Sequence, residues 1–84
     1  MNSIESCILE IVSDFDGGKG IYNDDEVYIC DLVDTLFESR GIKQYHCNVE
    51  MMFENPGIEI YSFSCCWIEN GELKSLLNLQ LERY

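Results

Sequence analysis

Two turn signals divide the second half of the chain into three extended segments, and this division constrains the fold more than any other feature. Asn55-Pro56-Gly57 sets a proline at the first central turn position and a glycine at the second. Asn70-Gly71 is the dipeptide that two-residue β-hairpin loops prefer. Apolar and polar residues alternate in the segment over residues 45–53, as expected for a strand with one buried face. The sequence therefore predicts a three-stranded antiparallel meander.

Two helices are predicted before these strands. In both stretches apolar residues recur at intervals of three and four, the spacing of one helical face. Ser3 can cap the first helix, and the glycine-rich stretch after Asp16 ends it. Asn23 or Asp24 can cap the second helix, which ends before Gly41. We predict an α+β fold in which two N-terminal helices pack on one face of the meander, as a single domain over residues 1–84.

Two-residue turns also predict the register of the strands. Counting from the first turn pairs Phe53 with Ile60, and counting from the second pairs Ile60 with Leu81. This register collects most of the large aliphatic side chains on one face, which we predict to be the core face under the helices. Its members are Tyr45, Val49, Met51, Phe53, Ile58, Ile60, Ile68, Leu73, Leu77, Leu79 and Leu81.

The opposite face holds an aromatic row, which we define as Tyr61, Phe63 and Trp67 on the central strand. The predicted register borders this row with polar side chains, among them His46, Glu50 and Glu82. An uncovered apolar centre with a polar rim is typical of a protein interface. The sequence favours that interpretation, although a helix could cover this face, or the rings could simply stabilise an open sheet by cross-strand packing.

The net charge of the chain limits its partners. Five lysine and arginine residues stand against 16 aspartate and glutamate residues, which gives −11. Such a chain is unsuited to nucleic acid or to anionic membrane surfaces, and its field attracts a basic protein. Solubility alone is the alternative explanation of the acidity. The acidic candidates for partner binding lie where the first helix ends and the second begins: Asp14, Asp16, Asp24, Asp25 and Glu26.

The sequence offers little equipment for catalysis. His46 is the only histidine, and no phosphate-binding glycine loop follows a strand. The loop after Asp14 resembles a calcium-binding loop only in outline, because Lys19 occupies the position of its turn glycine. We therefore predict a protein that is not an enzyme and uses no metal or cofactor. The five cysteines are predicted to be reduced, with Cys47 opposite Cys66.

The predicted location is the cytoplasm, because the acidic first residues do not resemble a signal peptide and no apolar run reaches a membrane-spanning length. A small acidic protein with an exposed aromatic face is typical of a stoichiometric protein inhibitor. We favour an immunity protein that neutralises a cognate bacterial toxin, a basic nuclease above all. Two alternatives stay open. One is a phage protein that inhibits a nucleic-acid-binding defence protein of the host. The other is a regulatory homodimer joined through the sheet face from Tyr61 to Trp67.

Overall fold

The computed structural model describes residues 3–15 and 23–83, with the backbone alone over residues 23–27. The elements in chain order are α1 (Ile4–Phe15), α2 (Asn23–Ser39), β1 (Tyr45–Asn55), β2 (Ile58–Glu69) and β3 (Glu72–Arg83). The strands form one antiparallel sheet in the order β1-β2-β3. The predicted α+β architecture, two helices followed by a three-stranded antiparallel sheet, is confirmed.

The helix ends are made by the capping residues that the sequence indicates. The Ser3 Oγ atom accepts a hydrogen bond of 3.1 Å from the amide of Ser6, as an N-cap does. Gly41 follows α2 with φ of 77°. The amide of Ile42 donates to the carbonyl of Phe37 (2.9 Å) and that of Gly41 to Glu38 (3.1 Å), the paired bonds of a Schellman motif. The predicted helix stop after Asp16 and the side-chain cap at Asn23 or Asp24 lie outside the described residues.

Both predicted turns are present. Gly57 has φ of 91° in the first, and Asn55 pairs with Ile58 across it. Asn70 and Gly71 have φ of 53° and 79°, so both central residues of the second turn are left-handed, as a type I′ hairpin requires. The strand pairs next to the turns therefore follow the predicted register, including Phe53 with Ile60 and Ile68 with Leu73.

The predicted register is wrong beyond two β-bulges. One extra residue of β1 lies between Met51 and Phe53, so Met51 pairs with Tyr61 and not with Ser62. One extra residue of β3 lies opposite the step from Phe63 to Cys65, so Leu81 also pairs with Tyr61 and not with Ile60. Because side chains alternate along a strand, each one-residue slip transfers all subsequent partners to the other face.

The bulges reverse the predicted core. They bring apolar residues of β1 and β3 onto the face of the aromatic row, and the two helices cover that face, α1 over β3 and α2 over β1. Phe53, Leu73 and Leu77, predicted to be core residues, are instead 49%, 71% and 63% exposed. The reason is the unequal content of the two faces of β2, because the face away from the aromatic row offers only Ser62, Ser64 and Cys66 at its centre. Covering the aromatic face removes far more apolar area from water.

Each helix contributes three buried residues at intervals of four to this core: Ile4, Ile8 and Val12 from α1, and Ile29, Val33 and Phe37 from α2. Phe37 lies where α2 meets the sheet. Its ring is 5.1 Å from that of Tyr45 and 5.4 Å from that of Trp67, measured between centroids. This aromatic cluster joins α2 to two adjacent strands.

The bulge in β1 also changes the cysteine pairs. Cys47 faces Cys65 on the covered side of the sheet, and His46 faces Cys66 on the other, so the predicted pairing of Cys47 with Cys66 is wrong. All five cysteines are free thiols. Burial raises the pKa of Cys65 to about 11. Burial also raises the pKa of Cys47, and a hydrogen bond to Asp34 adds to the effect.

These thiols predict a loss of stability in alkaline solution. A raised pKa means that the folded protein holds the proton more tightly than the unfolded chain, so stability is lost as pH rises from the ordinary thiol value near 9 towards 11. We expect the thermal midpoint to fall between pH 9 and pH 11, and to fall less in a Cys47→Ala/Cys65→Ala variant. Cys66→Ala, on the opposite face, is the matched control and should keep the wild-type fall. Equal falls in all three proteins would contradict the prediction.

Candidate functional site

The aromatic row is buried, so the prediction that it forms an uncovered interface is wrong. Tyr61, Phe63 and Trp67 are 3%, 0% and 1% exposed. Their polar atoms are bonded within the protein, since the Tyr61 hydroxyl donates to Glu59 (2.6 Å) and the Trp67 indole nitrogen to Glu69 (3.1 Å). The row therefore belongs to the core and offers no surface to a partner or to a second copy of the chain. The predicted homodimer contact through Tyr61–Trp67 is wrong in its location.

The polar rim residues lie on the open face of the sheet, which is the face away from the helices. His46 pairs with Cys66, Glu50 with Ser62 and Glu82 with Ile60. His46 and Glu50 are exposed, and Glu82 is half-buried. These three residues are therefore on the face opposite the aromatic row. Their neighbours along β1 and β3 are the residues that lie beside the row.

The open face has a small, uncharged centre. A depression of about 110 Å³ lies there, lined by His46, Asn48, Ser64, Cys65, Cys66 and Leu77. Ligand pockets usually enclose ~300–1,000 Å³, so this depression is too small for a typical substrate. Among the described residues, no group of three or more histidine, cysteine or acidic side chains is placed to hold a metal ion.

The outward side of the helical layer is acidic. Neither helix contains a lysine or an arginine, whereas α1 contains three acidic residues and α2 contains six. We define the acidic helix surface as the exposed carboxylates at Glu10, Asp14, Asp31 and Glu38. Of the predicted acidic candidates, only Asp14 has a described side chain. Asp16 is outside the described residues, and the last group lies in α2 with its side chains outside the description: Asp24, Asp25 and Glu26.

The β1–β2 hairpin forms a second unusual surface, which the sequence analysis missed. We define the hairpin tip as residues 51–57, all of which are exposed. Met51, Met52 and Phe53 are consecutive large apolar residues and are 40%, 61% and 49% exposed. The sequence signal was this run itself, because three apolar residues in succession interrupt the alternation of β1 and mark its bulge.

The hairpin tip is uncovered because the sheet is longer than the helices. Twelve residues span ~40 Å in a strand at ~3.3 Å per residue, but only ~18 Å in a helix at ~1.5 Å per residue. The strands contain 11 or 12 residues, whereas α1 contains 12 and α2 contains 17, which span only ~18 Å and ~26 Å, and the molecule is 44 Å long. Part of the sheet must therefore extend beyond the helices, and the exposure of residues 51–57 places that part at the first hairpin.

One end of the acidic helix surface, at Asp14, lies near the base of the hairpin tip, whereas Glu38 lies at the other end of the sheet, where it accepts the Tyr45 hydroxyl (2.9 Å). Arg83 pairs with Glu59 at the base of the tip, and its Nη1 atom donates to the carbonyl of Phe15 at the end of α1 (2.7 Å). Phe15 also contacts Tyr28 of α2, with ring centroids 5.7 Å apart. The end of α1, the first described side chains of α2 and the base of the hairpin tip are therefore neighbours. Asp14 lies beside this junction.

The chain matches no protein-family model, no curated protein and no solved structure. In the described part of the chain, no helix is both long enough and apolar enough to cross a membrane. The surfaces of the protein are therefore the basis for a proposal about its function.

Proposed function

We propose that the protein is a stoichiometric protein inhibitor that acts in the cytoplasm. The form we favour is an immunity protein that neutralises a cognate toxin, a basic nuclease above all. One observation carries this proposal: the two helices hold nine acidic residues and no basic one. A nuclease presents a basic cleft to its substrate, and a carboxylate-rich surface of this kind is complementary to it.

The positions of the carboxylates argue against solubility as their only role. Asp14 and Glu38 lie in the last turns of their helices, where the negative end of the dipole disfavours an acid by ~0.3–1 kcal/mol. Asp31 and Asp34 are three residues apart, and Glu38 follows four residues later, a spacing at which like charges repel by ~0.2–0.5 kcal/mol per pair. Within the fold, Asp34 bonds the Cys47 thiol and Glu38 accepts the Tyr45 hydroxyl (2.9 Å), whereas Asp14 and Asp31 are exposed. Acids needed only for solubility would be less costly on the sheet or in the turns. Binding to a basic partner would offset the repulsion.

Isolation of the protein from its native cell tests this proposal. The tagged protein should be recovered with one basic nuclease or other toxin in a one-to-one ratio, and stoichiometric addition of the pure protein should abolish the activity of that toxin. Recovery of self-associated protein alone would support the regulatory homodimer instead. A partner whose activity is unchanged in the complex would contradict inhibition.

Charge neutralisation should slow association with the inhibited protein. We expect Asp14→Asn/Asp31→Asn to lower the association rate constant about five- to tenfold at low salt, because steering depends on the local field. Glu50→Gln/Glu72→Gln removes the same charge from exposed positions on the sheet side and is the matched control. Stopped-flow measurement over a range of salt concentrations checks both. Equal slowing by the two variants would show that net charge matters and not the acidic helix surface.

A further inference from the structure

The hairpin tip has an exposed composition that folding alone does not explain. Met51, Met52 and Phe53 are all exposed and consecutive, so together they form a continuous apolar patch. Such a patch leaves more apolar surface in water than a single exposed side chain does. Runs of consecutive exposed apolar residues are unfavourable unless they serve a function. The bulge at this position gives β1 an extra residue, so Met51 and Phe53 turn to opposite faces with Met52 between them. The tip therefore has apolar side chains on both faces of the hairpin.

Acidic residues adjoin this apolar surface. Glu54 and Glu59 are directly opposite each other on β1 and β2, an arrangement of like charges that destabilises a sheet. Both carboxylates line a depression of about 420 Å³ together with the turn residues Asn55, Pro56 and Gly57. In the strand register Arg83 of β3 lies opposite Glu59, and the Glu59 carboxylate accepts the Tyr61 hydroxyl (2.6 Å), whereas Glu54 is exposed. The tip is therefore an apolar projection with a negatively charged border.

We propose that the hairpin tip inserts into an apolar cleft bordered by lysine and arginine side chains on a partner protein. This inference rests on the proposed function, and the partner is the basic protein that the acidic helix surface attracts. Asp14 lies at the same end of the molecule as the tip, so this part of the acidic helix surface and the apolar contact are close enough to meet one partner. Flexible methionines adapt to an apolar cleft, and Phe53 is the aromatic anchor.

The charge of the chain decides between this partner and two other occupants. A second copy would bring another net charge of −11 and a second pair of opposed glutamates to the contact. An anionic membrane surface would repel the same carboxylates. A cleft with a basic border satisfies both the apolar and the acidic part of the tip.

Site-specific photocrosslinking in the native cell tests the proposal. A photoreactive phenylalanine analogue is placed at Phe53, and at Leu9 of α1 as a control of similar exposure (49% and 46%). We expect an adduct from position 53, and not from position 9, with a single basic protein at a site next to lysine or arginine. Phe53→Ser should then weaken affinity for that protein at least tenfold, mainly through faster dissociation, and Met52→Ser should weaken it less. Leu9→Ser should change it less than twofold.

Three results would overturn the proposal: no adduct from position 53, an adduct with a second copy or with lipid, or equal affinities of Phe53→Ser and Leu9→Ser. The outcomes also separate this proposal from the proposed function. A nuclease that the protein inhibits, but that crosslinks only to position 9, would leave inhibition standing and remove the tip. A basic protein that crosslinks to position 53 and keeps its activity would retain the tip and remove inhibition.

Discussion

Trp67→Ala is expected to remove a large part of the free energy of unfolding of the protein. Trp67 is 1% exposed, and its ring contacts Phe37 of α2. Truncation of a buried tryptophan to alanine costs ~3–5 kcal/mol. Small domains have ~0.05–0.15 kcal/mol of stability per residue, or about 4–13 kcal/mol for this chain, so the loss is a large part of the total. Urea titration monitored by circular dichroism measures it.

Two further variants serve as controls for Trp67→Ala. Phe53→Ala removes an aromatic ring from the opposite face of the same sheet, where it is 49% exposed, and should cost less than about 1 kcal/mol. Trp67→Phe keeps a ring beside Phe37 and should fold with a smaller loss than Trp67→Ala. If Trp67→Ala were no less stable than Phe53→Ala, the helices would not cover the aromatic row.

Phe37→Ala is expected to detach α2 from the sheet and to cost a similar ~3–5 kcal/mol. Phe37 has no exposed surface and contacts the rings of Tyr45 and Trp67 on two strands. Its carbonyl also accepts a hydrogen bond from the amide of Ile42 in the C-terminal cap of α2. Phe37 therefore belongs both to the end of the helix and to the core. Urea titration should show the loss with both a helical and a near-ultraviolet aromatic signal.

Tyr28→Ala is the matched control for this variant. Tyr28 is another aromatic residue of α2, but it is 55% exposed and contacts only the half-buried ring of Phe15 among the described aromatic pairs. Its removal should cost about 0.5–1.5 kcal/mol, the value of one aromatic pair. Comparable losses from the two variants would indicate that the contact of α2 with α1 stabilises the fold as much as its contact with the sheet.

The elements of this fold could be predicted from local sequence, but their packing could not. Helical periodicity, the Ser3 cap and Gly41 marked the helices, and the two turn signals marked the strands, because each depends on a few neighbouring residues. The register beyond the turns failed at Met52 and near Asn78. Each bulge changes all strand pairs farther from its turn, but its signs are only local. In β1 the local sign is the apolar run, and in β3 it is Asn78, which has a left-handed backbone conformation.

The error in register is the reason that the candidate surface was misplaced. The predicted register placed the aliphatic residues on one face and the aromatic row on the other. In that register the aliphatic face alone would suffice to form the core, and the aromatic row was predicted to be exposed. The bulges put the apolar residues of β1 and β3 beside Phe63 and Trp67, and the helices cover that combined surface. The acidity of Asp14 and its neighbours could be recognised without the register, because net charge and helix position do not depend on strand pairing.

The two bulges also protect the borders of the sheet. β1 and β3 are the edge strands, and each contains one of them. Asn78 has φ of 58°, and its amide donates to the Ser64 hydroxyl (3.0 Å), so β3 is bent and pinned halfway along its length. A strand from another molecule needs an unbroken row of amides and carbonyls in order to add to an edge. Both edges interrupt that row, so edge-to-edge polymerisation of this acidic sheet is disfavoured.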